Sequence, residues 1–573
     1  MDYIFEISNP IQTLYAGMAV FMWLFTLLFS KEYMGHEHAR PRYYAFMLAT
    51  FAGTFGVFVS GDFLTLFVCF EIMSIASYVL VIHEENEKCM RAGETYLAVA
   101  VIGGMVMLMG LFLLNNLCGT LSIAGIKQAC TDLYQGPQRG QLYTACALIM
   151  FGFAAKAGVF PLHIWLPKAH PVAPAPASAL LSGILTKAGI FGMLIISTIF
   201  IGDYSWGRVL SVLAMITMIV GAVLALFSTD LKRTLACSSV SQIGFITCGI
   251  AFMCLLPGEN QSAVYGAVLH MVNHSLIKLV LFLSAGAVYM KAHTLELNKL
   301  RGFGKRMPWL MPCFAVGALS ISGVPGFSGF MSKTFLHEAI TEFMEYSAIG
   351  GEFVIYEKLF TITGGLTFAY MLKLFICLFV QGPKPTAEEK AAAKCTLLSK
   401  LSIAIPAAVL FVLGIELNID FITLHAVEAA CISLAIGAAV YILIIRCLLA
   451  RRPGKDSASY GIEYKDCWPK WLDLENSIYR PLIKFLLSVL TFICSILAGI
   501  TDAVVAALSA TVLRTINPGA NRITFRERIA ASDIGRSFAN VRASAEEFTQ
   551  TLSFGMVSGL LGLCIFLLVL LLK

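Results

Sequence analysis

Charge is what this chain has least of. Asp, Glu, Lys and Arg make up 13% of its 573 residues, about half the share of a soluble domain. With 58% hydrophobic residues and a mean hydropathy of +0.79, it cannot cover a water-facing surface, which excludes a soluble globular fold. Cysteine at ligand spacing is also missing. The 16 cysteines lie mostly inside apolar runs, and no two are spaced Cys-x-x-Cys. They read as small buried hydrophobes rather than as a zinc or iron–sulfur site. There is no Gly-x-Gly-x-x-Gly fingerprint and no P-loop, so no cofactor is expected. The first residues, MDYIFEISNP, lack a basic n-region, so no cleaved signal peptide is expected. The net charge of +6 is expected to belong to loops on the cytoplasmic side, not to a nucleic-acid surface.

What is present is a series of apolar runs, each long enough to cross a hydrocarbon core at about 20 residues. Only helices satisfy their own backbone in lipid at this length and composition. The predicted class is therefore an all-α polytopic membrane protein. Spans are expected near 11–30, 43–60, 62–82, 94–115, 141–160, 177–201, 205–227, 234–256, 262–290, 308–332, 355–381, 400–416, 424–448 and 552–572, giving about 14–15 transmembrane helices. The stretch 478–515 is ambiguous: apolar enough to span, it carries Arg480, Lys484, Asp502 and Arg514.

Alternating the loops between two sides separates the basic residues. One side collects Lys31, Arg40, Arg42, Lys88, Arg91, Lys232, Arg233, Lys291, Lys299, Arg301, Lys305, Arg306, Lys384 and Lys390; the other is nearly bare, with Lys127, Arg139 and Lys358. The positive-inside rule then places the N-terminus outside an inner (cell) membrane. Residues 449–477 read as a cytoplasmic connector. The basic segment Asn517–Gln550 reads as a helix lying along the membrane or a partner, or else as a solvated tail helix, and 552–573 as a terminal anchor.

The informative residues are charges inside spans, where each costs about 2.5–3.5 kcal/mol on insertion scales. Glu71 stands mid-run; its plainer reading is a carboxylate hydrogen-bonded to Ser74, Ser77 or a neighbouring helix. Lys156 precedes Pro161, which removes a backbone donor and breaks the helix. Broken helices at membrane depth line cavities or ion paths. His163 and His170, in the proline-rich stretch that follows, read as parts of a rigid connector. Lys187 lies too far into its span for its stem to snorkel out. His270, His274 and Lys278 are spaced i, i+4, i+8 and share one helix face, so they can form a wire. Lys333 follows Pro325, Gly326 and Gly329, a second break beside a lysine. Lys373 is either another interior charge or a lysine directed at a loop.

The two lysine-and-break arrangements suggest two halves, 43–201 and 205–381, each of five spans. An odd number of spans inverts one half relative to the other, giving two inverted five-helix bundles, each with a broken helix. Residues 1–42 are then an N-terminal helix, 400–448 two further spans, and 478–550 a lateral or partly embedded helix. A buried amine loses its proton readily when isolated and keeps it beside a carboxylate. Movement of Glu71 relative to Lys156 can thus switch a proton between being held and released. It would pass to Lys187, the His270–His274–Lys278 column and Lys333, groups that titrate as a set.

The segments GDFLTLFVCFE, FAAKAGVFPLHIWLPKAHPVAPAPASALLSGILTKAGIFG, HMVNHSLIKLVLFLSAG and GVPGFSGFMSK, in that order, resemble the proton-conducting, antiporter-like membrane subunits. These serve respiratory complex I, multi-subunit sodium/proton antiporters, and energy-converting hydrogenases and formate hydrogenlyases. The resemblance runs from about residue 40 to about 380. It implies that Glu71 and Lys156 are the family's glutamate–lysine pair and Lys187 its bridging lysine. His270, His274 and Lys278 match its central helix, and Lys333 the terminal charge of its second broken helix. It also implies the two inverted bundles and a C-terminal lateral helix with its anchor. Members of the family usually have two further helices before the run that begins here at Ile11, and these are expected to be absent.

The leading expectation is an ion-translocating subunit, for protons or sodium, of a membrane-bound redox complex of hydrogenase, formate hydrogenlyase or NADH:quinone oxidoreductase type. Its partners would be other integral subunits, peripheral redox subunits and the bilayer, with no redox chemistry in this chain. The alternatives are a subunit of a sodium/proton antiporter without a redox partner, and a non-conducting scaffold. A quinone-reducing enzyme has no sequence feature in its favour.

Overall fold

The computed structural model describes residues 10–256, 261–347, 350–419, 423–451 and 462–516. The terminal anchor expected at 552–572, the basic segment 517–550 and the middle of the 449–477 connector lie outside the described residues. The protein is all-α. Among the described residues, eleven helices are long and apolar enough to cross a membrane; the strands Ala450–Arg451 and Glu463–Tyr464 pair over two residues.

The helices run in chain order as α1 Pro10–Tyr33, α2 Arg40–Val59, α3 Phe63–Val81, α4 Glu87–Cys118, the short α5 Ile126–Gln135 and α6 Arg139–Ala157. Then come α7 Leu166–Val172, α8 Ala175–Leu180, α9 Thr186–Ser197, α10 Tyr204–Phe227, α11 Leu231–Leu255 and α12 Gln261–Ala292. The series ends with α13 Leu310–Ser322, α14 Ser328–Tyr346, α15 Val354–Phe375, α16 Ala387–Ala392, α17 Leu397–Ile419, α18 Leu424–Val440 and α19 Arg480–Ile516.

Two apolar runs are interrupted. The first ends α6 at Gly158, whose φ of +84° is open to glycine and strained for other residues, and resumes in α7. The second stops α13 at Gly323 and resumes with α14. The span expected at 308–332 is therefore two helices, and α14 runs on to Tyr346. Its extension carries His337, Glu338 and Glu342, polar residues that hydropathy alone does not assign to a span. Between α8 and α9 the chain takes a π-helical turn, Leu181–Leu185, a feature that collects at functional sites.

Lipid gives helices no hydrophobic reason to associate, so small residues and polar contacts hold them together. A Cβ on Gly103 of α4 would press on Ala155 of α6, and one on Gly221 of α10 on the Ser241 backbone of α11. At the centre, α11 is buried along nearly its whole length, with α10, α12, α14 and α15 against it. Its polar run Ser238, Ser239, Ser241 and Gln242 is fully buried, which only partners on those neighbours make tolerable.

The bundle's two ends differ in charge. At one end Arg42 pairs with Glu85, Lys291 with Glu32 at 3.6 Å and Arg306 with Glu389 at 2.5 Å. Asn298 binds the Tyr464 carbonyl there at 2.8 Å. The loops read as the basic side thus meet on one face. At the other end Asp203 takes hydrogen bonds from Tyr134 (2.6 Å), Arg139 (3.0 Å) and Tyr143.

A separate compact unit begins at Lys470. In it the ambiguous 478–515 stretch is one unbroken helix, α19, of 37 residues. Its apolar side chains, Phe485, Phe492, Leu497 and Val504 among them, are exposed. Arg480 pairs with Glu475 at 2.7 Å at its start.

Candidate ion-conducting site

Glu71 lies on α3 and is wholly buried, and neither carboxylate oxygen has a hydrogen-bond partner among the described residues. Room for it is made by Gly104 of α4, where any Cβ would overlap the carboxylate. Lys156, near the end of α6, does not form an ion pair with Glu71 within bonding distance. Its Nζ donates to Ser74 Oγ at 3.0 Å and to Tyr96 OH at 2.7 Å and sits 4.9 Å from the Tyr96 ring. Tyr96 OH is in turn 2.5 Å from Ser77 Oγ. The two charges are within electrostatic reach, so carboxylate and amine share one buried chamber without closing on each other.

Lys187 Nζ donates to the Ser182 carbonyl at 2.8 Å and meets His274 Nδ1 at 2.5 Å. The Ser182 carbonyl belongs to the π turn. The lysine and the histidine come from α9 and α12, 87 residues apart, and one hydrogen bond joins their nitrogens. When the amine is protonated it donates to Nδ1; when it is neutral, Nδ1–H donates to it.

On α12 the rings of His270 and His274 stack with centroids 6.5 Å apart and planes 10° from parallel. His270 is held on both nitrogens, by Gln242 Oε1 at 2.9 Å and Ser332 Oγ at 2.8 Å. Gln242 reaches on to Thr367 Oγ1 at 3.4 Å. His274 Nε2 has no partner among the described residues. Lys278 donates to the Leu235 carbonyl at 2.8 Å and to Ser238 Oγ on α11. The Tyr370 hydroxyl sits among Ser238, Gln242 and Thr367, so the polar run of α11 lies between Lys278 and His270.

Lys333 follows Ser332 on α14. Its Nζ donates to the Ile321 carbonyl at 2.8 Å, exposed by the helix break, and lies 4.8 Å from the Phe245 ring. It also lines a cleft with His337, Glu338 and His425, the last two exposed. Lys373 stands apart. Its Nζ donates to the carbonyls of Ala225 (3.1 Å), Leu226 (2.8 Å) and Ser228 (2.8 Å), closing the C-terminus of α10.

The structure thus sets Lys187 against His274, stacks His274 with His270, places Gln242, Tyr370 and Ser238 between His270 and Lys278, sets Ser332 and Lys333 beside them, and leaves Glu71 and Lys156 as a separate buried group. Sequence reasoning passed over Tyr96, Gln242, Ser332, Tyr370 and Gly104. For Gln242 the signal was in view: Ser-Ser-Val-Ser-Gln inside an apolar span is as costly as a lone charge.

The same chain has known relatives. A family described as NADH:quinone oxidoreductase/Mrp antiporter, transmembrane, matches residues 60–361. Hydrogenase-4 component B of Escherichia coli K12 is 32% identical over 379 residues, 64% of this chain and 55% of that protein; the chain therefore spans about half of that relative's length. A Na(+)/H(+) antiporter subunit of Alkalihalophilus pseudofirmus is 32% identical over 385 residues, 67% of this chain and 75% of that protein. Among solved structures, a chain of the Mrp complex from Dietzia sp. DQ12-45-1b superposes with a TM-score of 0.61 at 24% identity, covering 75% of this chain and 83% of that one. At that identity the likeness is one of fold.

Proposed function

Because the chain belongs to the NADH:quinone oxidoreductase/Mrp antiporter membrane family, we propose that it is the ion-translocating, antiporter-like subunit of a membrane-bound, energy-converting redox complex of hydrogenase, formate hydrogenlyase or NADH:quinone oxidoreductase type. The observation that carries this is the Lys187–His274 contact at 2.5 Å inside a fully buried column of ionisable groups. A scaffold gains nothing from two titratable groups sharing a proton where each charge is costly, whereas a conductor requires it.

The contacts support steps within each group, and the transfer from Lys156 to Lys187 is part of the proposal. Rotation of Glu71 toward Lys156 pairs the two and favours the ammonium; rotation away leaves the ammonium uncompensated and drives its proton off. That proton loads the shared site of Lys187 and His274. It moves along the stacked histidines through Gln242 and Ser332, and Lys333 delivers it to the cleft with His337, Glu338 and His425. The ion is a proton in this reading, and sodium exchanged against it is the variant. The basic face is cytoplasmic, so the N-terminus lies outside. The halves 43–201 and 205–381 are inverted repeats, each with its broken helix. Partners are further integral subunits, with peripheral redox subunits supplying the electrons. At about 55 Å from its residue count, α19 exceeds the roughly 30 Å of a hydrocarbon core, which favours a helix lying along such partners.

A second reading, an antiporter subunit with no redox partner, is favoured by the more complete match to the Alkalihalophilus antiporter protein, 75% of its length against 55% of the hydrogenase component. Purifying the complex through a tag on this chain and identifying its companions separates the two. In vesicles holding that complex, Lys156→Ala is expected to abolish ion translocation while assembly persists. Unchanged translocation would leave only the scaffold.

A further inference from the structure

Two buried ionisable residues take no part in the column described above. His170, on α7, is wholly buried, and neither ring nitrogen has a partner among the described residues. A buried imidazole without a hydrogen bond is costly and has a purpose where protons pass. Lys232, at the start of α11, is also buried; its Nζ donates to the Ala173 carbonyl at 2.7 Å, one residue beyond the end of α7.

The surroundings link the two. The His170 ring lies 5.1 Å from the Phe282 ring, and Lys278 Nζ lies 5.9 Å from the same ring, so the histidine and the column's last lysine flank one phenylalanine. Lys232 Nζ lies 5.5 Å from the Tyr289 ring. Residues 278, 282 and 289 extend the stripe of 270 and 274 along α12, since steps of four and seven stay on one face. The stripe therefore continues past Lys278 toward the basic end, and Lys232 sits over its far part. His170 is within electrostatic reach of Lys278, Lys232 and Lys187. Lys232 in turn is within reach of Asp230, Glu84 and Glu37. Glu84 lies in the loop between α3 and α4 and is only half-buried.

We propose that Glu84, Lys232 and His170 form a proton-intake relay that leads from the basic face of the bundle past Phe282 to Lys278. The Glu84 carboxyl, protonated from solvent, passes its proton to the neutral Lys232 amine, leaving carboxylate and ammonium. The ammonium passes it to a free nitrogen of His170, leaving neutral amine and imidazolium, and the imidazolium passes it to neutral Lys278. Each step moves one proton and consumes no other reactant. Phe282, against which both donor and acceptor lie, serves in this relay as the apolar gate that keeps the two from exchanging continuously.

The relay rests on the conduction reading, and the experiment keeps their failures apart. In proteoliposomes holding the complex co-purified with the full chain, ion flux is compared, per assembled complex, for wild type, Lys156→Ala, Lys232→Arg, Lys232→Met and Glu84→Gln. Arginine keeps the charge and the hydrogen bond to Ala173 but does not give up its proton. Lys232→Arg and Lys232→Met are both expected to slow flux by about a hundredfold, the scale of one positioned proton carrier. Glu84→Gln is expected to slow it by about tenfold through loss of the acidic mouth. Full flux in Lys232→Arg overturns the relay and leaves Lys232 a cap for α7. Full flux in Lys156→Ala overturns the conduction reading itself. Should Lys232→Met fail to assemble, Lys232→Arg and the loop variant Glu84→Gln carry the test.

Discussion

Gly104→Ala asks whether the freedom of Glu71 drives the switch, without touching any ionisable group. A methyl at 104 would overlap the Glu71 carboxylate, with Oε1 the nearest atom and the carboxyl carbon 2.8 Å away. The helix backbone cannot retreat, because the neighbouring Gly103 already abuts Ala155 and Gly152 of α6. The carboxylate must leave the position it now holds. Overpacking of this kind costs about 1–3 kcal/mol, so the balance between the two positions of Glu71 shifts by about 5- to 150-fold. A switch displaced that far dwells in one state, and turnover-driven ion flux should fall by a similar factor. The variant's thermal stability should fall by the same amount, about 1–3 kcal/mol at most. Flux in vesicles normalised to assembled complex is the assay, with Gly104→Ala/Glu71→Asp as the control, since a side chain one methylene shorter clears the methyl. Restored flux in that double variant, as a coupling between two sites in contact, marks the clash as the cause. Wild-type flux in Gly104→Ala alone would refute the switching role of Glu71.

Lys373→Met removes three hydrogen bonds from the end of α10. It is expected to lower the melting temperature of the purified complex at a cost of about 1–3 kcal/mol, with flux per folded complex kept within about twofold; a loss of flux with stability intact would place Lys373 on the path. Cys118 and Cys130 have Sγ atoms 3.4 Å apart at the end opposite the basic face. A thiol oxidant added to intact cells should therefore block both from later alkylation, and labelling of both from the cytoplasmic side only would reverse the topology. Asp203 is buried, which raises its carboxyl, but hydrogen bonds from Tyr134, Tyr143, the Trp206 amide and Arg139 outweigh this and hold it below its ordinary 3.8. Its contribution is present above that value and lost as pH falls through the lower folded-state value. Thermal melts should show wild type losing its advantage over Asp203→Asn only in that acid window; a constant advantage down the whole range would refute the assignment.

Much of this was legible beforehand because bilayer physics leaves few choices. An apolar run of about 20 residues must be a helix, and a lysine within it must have a reason to be there. Lys156, Lys187, Lys278 and Lys333 announced themselves in that way, and the i, i+4, i+8 spacing put His270, His274 and Lys278 on one stripe. Partner identity was hidden, because it depends on which helices meet. The Lys187–His274 contact joins residues 87 positions apart, and nothing local in either segment names the other. The glutamate–lysine pair shows the same limit: the residue types promised an ion pair, while the packing gives Lys156 to Tyr96 and Ser74 and leaves Glu71 against a glycine. Tyr96 and Gly104 were invisible because a tyrosine and a glycine in an apolar span are ordinary until a charge is seen to need them. The break within 308–332 was legible from Pro325, Gly326 and Gly329; hydropathy did not read that the helix after it runs on to Tyr346.

The number of carbonyls around each lysine sets Lys373 apart: three of them take up every N–H of its ammonium, whereas Lys232 and Lys333 each give a carbonyl one hydrogen bond. Lys187 combines one carbonyl with an imidazole, and an imidazole can take the proton. Lys156 faces a hydroxyl and a phenol, with Glu71 free to swing toward it. Lys278 and Lys333 each hold one carbonyl, which serves amine and ammonium alike, since either form has an N–H to offer. A fixed carboxylate partner would instead bind the charged form so strongly that the proton stayed. The carbonyls exposed by the π turn at Lys187 and by the helix break at Lys333 stabilise these two buried lysines without choosing their protonation state.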